Sequence, residues 1–470
     1  MTIVQIGILA AIAALLGRLR RGRGLALLAV SGMAVYALQP PGPFVSLAYW
    51  LPTATLGLTA LVWAVTSESG SRGWRENWPA AVVLAGVVIL ADVNRYLGLS
   101  QIYMTTTPRL VLALGAVATI AAVCLGMARW DGGRHFTLPA AMVGLILIFV
   151  FLKSPLLDRT LELMAGWRGQ DSESRKLAFS WLGFSYVAFR LIHTVRDRQT
   201  GRLPSVNLQD YVNYVLFFPA FTAGPIDRLE RFVRDLHQPA ALANEDWIEA
   251  GSRLFVGLFK KFVLADLLAV ISINDLLVAQ TRTAGWLWIF LYAYAFRIYF
   301  DFSGYTDIAI GVGRLMGVRL PENFAAPYLK PNLTQFWNAW HMTLTQWFRS
   351  YFFNPLTRAL RSSKNPLPAT AIIFLTQIST MVLIGLWHGI AWGFIVWGLW
   401  HGVGLFMHNR WVEFSRSRWP AEVPEVGHPS ALGILGTIAT FHFVTLGWLF
   451  FTLSSPEMAL LALRKLFGLA

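Results

Sequence analysis

Cysteine is almost absent: Cys124 is the only one, so the chain cannot close an internal disulfide or build a Cys-based metal framework. It sits in an apolar run and reads as a small buried side chain. Charge is also scarce, at 14% of residues against 56% hydrophobic, with a mean hydropathy of +0.52. Soluble domains usually carry about 25% charged residues, so an ordinary soluble fold is excluded. Two catalytic signatures are missing as well. There is no G-x-S-x-G elbow of a Ser/His/Asp hydrolase and no H-E-x-x-H metal pair.

What is present is a series of apolar runs: 3–16, 45–65, 80–90, 110–127, 138–152, 177–192, 370–386 and 432–453. Several approach the roughly 20 residues that cross a bilayer. One or two such runs would suit a buried core; this many predict an integral, all-α membrane protein with roughly ten to twelve spans. The basic cluster Arg18, Arg20, Arg21, Arg23 follows the first run, the reverse of a signal peptide. By the positive-inside rule it marks a cytoplasmic loop and puts the N-terminus outside. Arg196, Arg198 and Arg202, and later Arg358, Arg361 and Lys364, mark further cytoplasmic loops. The formal net charge of +14 does not indicate a nucleic-acid partner, because the basic residues sit in short loops beside apolar spans.

Residues 1–200 read as simple membrane helices, 201–410 as a core that carries the chemistry, and 411–470 as a C-terminal loop and helix. A charged connection between Lys153 and Lys176 has room for a small extramembrane element. From Tyr211 onward, polar and aromatic residues enter the apolar segments, and polar groups at membrane depth need a reason. In FPAFTAGPIDRLERF, from Phe218, Gly224-Pro225 breaks a helix and RLERFVRDL reads as an interfacial amphipathic segment. In RIYFDFSGYTDIAIGVGRLMGVRLPENF, from Arg297, Asp301 and Asp307 lie with Arg297 and Arg314 in a stretch that makes a poor continuous helix. Either an internal ion-pair network or a substrate contact explains those aspartates.

In LTQFWNAWHMTLTQWFRSYFFNPL, from Leu333, Trp337, His341 and Thr345 fall on one face at helical spacing, with Asn338 beside His341. In GLWHGIAWGFIVWGLWHG, from Gly385, the glycines 385, 389 and 393 form a small-xxx-small stripe beside His388. Of the nine histidines, His135, His237 and His428 lie in loops, and His193 and His408 at helix ends. His442 reads as a core histidine, and His401 competes with His388. His341 and His388 have the best contexts, each flanked by tryptophan. Nothing in the spacing forces metal ligands to converge. A neutral imidazole in a dry aromatic site suits removal of a proton from a hydroxyl as it attacks an activated acyl group.

These blocks, YFDFSGYTDIAIGVGRLMGVRLPENF, FWNAWHMTLTQWFR and GLWHGIAWGFIVWGLWHG, with AGPIDR upstream, resemble the signature blocks of bacterial membrane-bound O-acyltransferases in order and separation. The resemblance runs from about Phe218 to His408. It implies a ring of membrane helices around a central tunnel with re-entrant segments, in the cytoplasmic (inner) membrane of a bacterium. It also implies acyl transfer from a cytoplasmic thioester to an extracytoplasmic hydroxyl. His388 matches the family's WHG histidine and His341 that of its WHxxL block. A helix from near Leu367 carries His388 about 30 Å along at 1.5 Å per residue, deep or toward the far side.

On this resemblance His388 is the general base, and His341 orients it, polarises the thioester carbonyl or contacts the donor. Asn338, Trp337, Trp387, Gly389 and Gln346 are candidate substrate contacts. Asp301, Asp307 and Arg349 form a structural polar network. No metal and no tightly bound cofactor is expected. The co-substrate is acetyl-CoA or an acyl or D-alanyl group on a phosphopantetheine carrier protein. The partners are the lipid membrane and an extracytoplasmic polysaccharide or acyl-relay protein. Acetylation resembles the alginate, cellulose and peptidoglycan systems. Asn338 and Met342 resemble the D-alanyl subfamily, while YFFNPLTRAL resembles neither. A transporter or flippase also suits broken helices and intramembrane aspartate, although no inverted repeat is visible. A membrane scaffold for polymer secretion predicts that both histidines are dispensable.

Overall fold

The computed structural model describes residues 1–40, 47–97, 108–130, 134–167, 179–238, 243–418 and 431–469. His428 and part of the 153–176 connection lie outside them. Among the described residues the regular structure is helical throughout, as expected of an integral all-α membrane protein.

The chain forms two compact units. Unit 1 comprises residues 1–254 and 308–321, and unit 2 comprises 255–307 and 322–470. The first eleven helices begin in unit 1: α1 (Ile3–Arg18), α2 (Arg23–Leu38), α3 (Leu47–Thr66), α4 (Trp74–Leu97), α5 (Leu110–Arg129), α6 (Arg134–Lys153), α7 (Pro155–Trp167), α8 (Phe184–Gln199), α9 (Leu208–Val215), α10 (Leu229–His237) and α11 (Asn244–Phe259). A π-helical stretch, Lys260–Ala265, continues α11 into α12 (Asp266–Val270). Then follow α13 (Asp275–Gln280), α14 (Ala284–Arg314), α15 (Leu333–Trp337), α16 (Met342–Phe348), α17 (Asn354–Arg361), α18 (Ala369–His388), α19 (Trp392–Arg418), α20 (Ala431–Thr452) and α21 (Pro456–Leu466).

Seven helical stretches among the described residues are long and apolar enough to span a membrane: 47–66, 74–93, 110–129, 135–153, 244–280, 369–388 and 431–452. α1 and α2 are shorter apolar helices. α5 shows what such a helix presents: Val111, Leu112 and Leu114 are exposed, and its only buried residue is Ala113. An open leucine and valine face suits lipid, which demands only that backbone groups be paired within the helix.

In unit 1, Arg190 on α8 is buried and donates to the carbonyls of Val215 (2.8 Å) and Ala220 (3.0 Å). One guanidinium thus holds the irregular FPAFTAGP segment, which has few backbone partners of its own. His193 lies inside α8, not at a helix end, and its Nε2 meets the Tyr214 hydroxyl at 2.6 Å.

In unit 2, Asp301 and Asp307 do not break their helix as the sequence predicts, because α14 is continuous from Ala284 to Arg314. The reason is a remote pair of cations: Lys260 reaches Asp307 at 2.7 Å and Lys261 reaches Asp301 at 2.6 Å, both from the π-helical stretch. The π-bulge turns successive lysines toward α14, and a Cβ on Gly304 would come within 2.9 Å of the Lys261 backbone nitrogen. Arg314 instead pairs, within unit 1, with Asp246 and Glu249.

The glycine stripe also needs correction. α18 stops at His388, so Gly385, Gly389 and Gly393 do not share one helix. Gly385 and Gly398 fit α18 and α19 together as a hairpin, while Gly393 faces the Phe450 carbonyl of α20. A Cβ on Gly385 would lie 2.1 Å from the Phe394 carbonyl oxygen, and one on Gly398 would lie 2.6 Å from that of Met381. In lipid, close backbone packing of this kind drives helix association. Gly385→Ala is therefore expected to destabilise the protein by about 3 kcal/mol, since the obstruction is backbone and cannot rotate away. Thermal unfolding in detergent tests this; an unchanged midpoint would show that the hairpin is not sealed there.

Candidate active site

The best-placed residues all belong to unit 2. The helix proposed to carry Trp337, His341 and Thr345 on one face is interrupted. α15 ends at Trp337, a turn follows, and α16 begins at Met342. His341 is the joint, with φ +41° and ψ +54° in the left-handed region. Non-glycine residues seldom stay there unless neighbours fix them.

Asn323, from the PENF stretch, does the fixing. It is fully buried, and its Oδ1 accepts from the Thr343 backbone N–H (3.1 Å), the Thr343 hydroxyl (2.9 Å) and His341 Nδ1 (3.1 Å). Its own carbonyl accepts from the Met342 N–H (2.9 Å). One side chain thereby caps α16 from a remote part of the sequence. It also fixes the imidazole tautomer. The atom facing the Thr343 N–H must be the amide oxygen, so His341 Nδ1 carries the proton and Nε2 holds the lone pair.

Aromatic rings wall this imidazole in. Phe302 on α14 meets it edge-on at 4.6 Å between centroids, and Trp387 at 6.1 Å. Trp387 also stands 4.4 Å from the ring of its neighbour His388. His341 is 3% exposed, whereas His388 at the end of α18 is only partly buried. Phe451 (4.8 Å), Phe394 and Trp397 (both 5.8 Å) complete the surroundings of His388.

α18 carries His388 to its last residue, and Gly389 turns the chain toward α19 with extended backbone. A Cβ at Gly389 would press within 2.8 Å of the Phe394 ring. Thus Gly389, like Trp387, stands beside His388. Trp337 is one ring further out, 5.7 Å from Trp397 and 5.2 Å from His401. His401 is fully buried, its two ring nitrogens meet no hydrogen-bond partner, and Trp397 and Phe443 close it off at 5.0 and 5.9 Å.

Asn338 and Arg349 come together: the guanidinium donates to Asn338 Oδ1 at 2.8 Å. Arg349, Trp337, Thr345, Gln377 and Thr380 line a cavity of about 200 Å³. Gln346 is exposed on α16 and is not brought to the imidazoles. Asp301 and Asp307 act at a distance, by anchoring the helix that bears Phe302. His442 is held by Ile438 O and Tyr292, in keeping with a structural histidine. Among the described residues, no three His, Cys, Asp or Glu side chains converge on a possible metal position.

Sequence reasoning missed Asn323, Phe302 and Phe451. Asn323 stood in plain sight as an amide beside Pro321-Glu322 in an apolar block, but its partners lie about twenty residues on.

Seven apolar helices long enough to span a membrane among the described residues, and two imidazoles set among aromatic rings in unit 2, define a multi-pass membrane protein. Residues 101–454 match the model of the membrane-bound O-acyltransferase family, and the chain belongs to that family. It is an O-acyltransferase. It is 32% identical over 403 residues to the teichoic acid D-alanyltransferase of Bacillus subtilis, covering 84% of this chain and 95% of that protein. It is 32% identical over 279 residues to a probable alginate O-acetylase of Pseudomonas aeruginosa, covering 59% of this chain and 50% of that protein. It is also 34% identical over 265 residues to a peptidoglycan O-acetyltransferase of Helicobacter pylori, covering 55% of this chain and 47% of that protein.

Proposed function

We propose that the protein moves an acetyl group from a cytoplasmic thioester to a hydroxyl of an extracytoplasmic polysaccharide, glycoconjugate or relay protein, in the cytoplasmic membrane of a bacterium. The observation that carries this reading is the pair of imidazoles bridged by Trp387, one fully enclosed and one partly open. His388 takes the hydroxyl proton as the oxygen attacks the thioester carbonyl. The C–S bond then breaks, and the proton passes from the imidazolium to the departing thiolate. His341, held at Nδ1 by Asn323, keeps Nε2 as an acceptor and positions the groups beside Trp387.

The cavity beside Arg349 and Asn338 offers amide and hydroxyl groups to the polar arm of a donor, whether acetyl-CoA or a phosphopantetheine carrier protein. A second reading, D-alanyl transfer from a carrier protein, is favoured by the nearly full-length match to a D-alanyltransferase.

The test is chemical. Envelope polymer from cells with and without the protein is treated with mild base, and the released acyl groups are identified by mass. Release of protein-dependent acetate supports the first reading and protein-dependent D-alanine the second. If no ester depends on the protein, both fail, and a transport or scaffold role takes their place.

A further inference from the structure

Unit 1 contains a second polar hollow, remote in sequence from the histidine blocks, at the turn between α1 and α2. This cleft of about 840 Å³ is lined by Arg18, Arg20, Arg23, His237 and Gln209, with no Asp or Glu among its lining residues. Asp210, next to Gln209, is engaged by His237 Nε2 at 2.8 Å. Arg23 is partly engaged through the Met316 carbonyl, and Arg18 stacks over Trp247 at 5.5 Å, while Arg20 is exposed.

The backbone adds to the positive charge. Gly22 takes φ +69°, and α2 has no side-chain cap. The first intrahelical bond of this turn comes from the Ala26 N–H. The amides of Arg23, Gly24 and Leu25 therefore open α2 toward residues that line the cleft. Topology alone requires basic residues near a membrane, but not their convergence on one concavity.

A soluble phosphate and a lipid phosphate share this chemistry, and α1 distinguishes them. Val4, Ile8 and Leu15 form an exposed apolar stripe along α1, which ends at Arg18. Acyl chains can lie along that stripe while the headgroup enters the cleft. We infer that the α1–α2 cleft binds the phosphate-bearing headgroup of an anionic phospholipid, gripped by Arg18 and Arg20 with α2's first-turn amides. Guanidinium forks suit phosphate oxygens. The inference does not depend on the acyl-transfer reading.

The test uses the full chain in detergent and native mass spectrometry with phosphatidylglycerol, phosphatidylcholine and coenzyme A as separate probes. Wild type is expected to retain phosphatidylglycerol over phosphatidylcholine, and the R18A/R20A double variant to lose about tenfold or more of that retention. Arg21→Ala, outside the cleft, is expected to behave as wild type. Binding of coenzyme A alone, abolished in the double variant, would overturn the lipid assignment and leave a soluble-phosphate site. Equal adducts in wild type and double variant for every probe would overturn the site altogether. If the double variant fails to fold, Arg20→Gln at its exposed position gives the same comparison. Phosphatidylglycerol binding that is equal in wild type and Arg20→Gln, and in wild type no stronger than phosphatidylcholine binding, would also overturn it.

Discussion

His388→Ala is expected to reach the membrane folded and to lose acyl transfer by a hundredfold to ten-thousandfold, the usual range for removal of a general base. The expectation rests on position. His388 ends α18 and is partly exposed; when its ring is removed, Phe394 and Trp397 keep their contacts with Phe451, and Trp387 keeps its contact with His341. Protein level and unfolding midpoint in detergent should therefore stay close to wild type while ester formation on the polymer collapses. Full ester content in His388→Ala cells at matched expression would remove the base assignment and turn attention to His341 Nε2.

Asn323→Ala has the second large effect, and it strikes folding and chemistry together. Three donors converge on Asn323 Oδ1, and a methyl group accepts none of them. Each buried donor left unpaired costs about 1–3 kcal/mol, so a loss of about 3 kcal/mol or more is expected. The left-handed backbone at His341 loses its brace, and the imidazole loses the partner that selects its tautomer. At temperatures where the variant is still folded, kcat should fall while KM for the donor changes little, as expected when a positioning group is lost. Asn323→Asp keeps an acceptor in place and should fall between the two in stability. An Asn323→Ala protein as stable and as active as wild type would show that His341 is held by something else.

The candidate imidazoles were legible because they are written in residue type. An imidazole flanked by tryptophan in an apolar stretch is costly at membrane depth, and His341 and His388 stood out on that ground alone. The local geometry was less legible, for one recurring reason: the partner lay far away in sequence. The spacing of Trp337, His341 and Thr345 satisfies a continuous helix, and only Asn323 explains why the chain turns at His341. Asp301 and Asp307 look like helix breakers until Lys260 and Lys261 arrive from a π-helical stretch some forty residues earlier. The glycines at 385, 389 and 393 obey a one-helix spacing, yet the chain bends after His388, so that Gly385 seats α18 against α19 and Gly393 seats α19 against α20. Gln346 had the right chemistry, but the turn at His341 reset the helical phase and left it exposed.

The left-handed backbone at His341 has a consequence for heredity. A single base change converts a histidine codon to an asparagine codon, and asparagine is among the few side chains that accept this backbone conformation. If His341 acts as proposed, such an allele would yield a protein that keeps its fold and loses acyl transfer. Changes to bulky or branched residues at the same codon would instead be cleared by quality control. Inactive alleles at this position are thus filtered by their backbone before selection ever sees their chemistry.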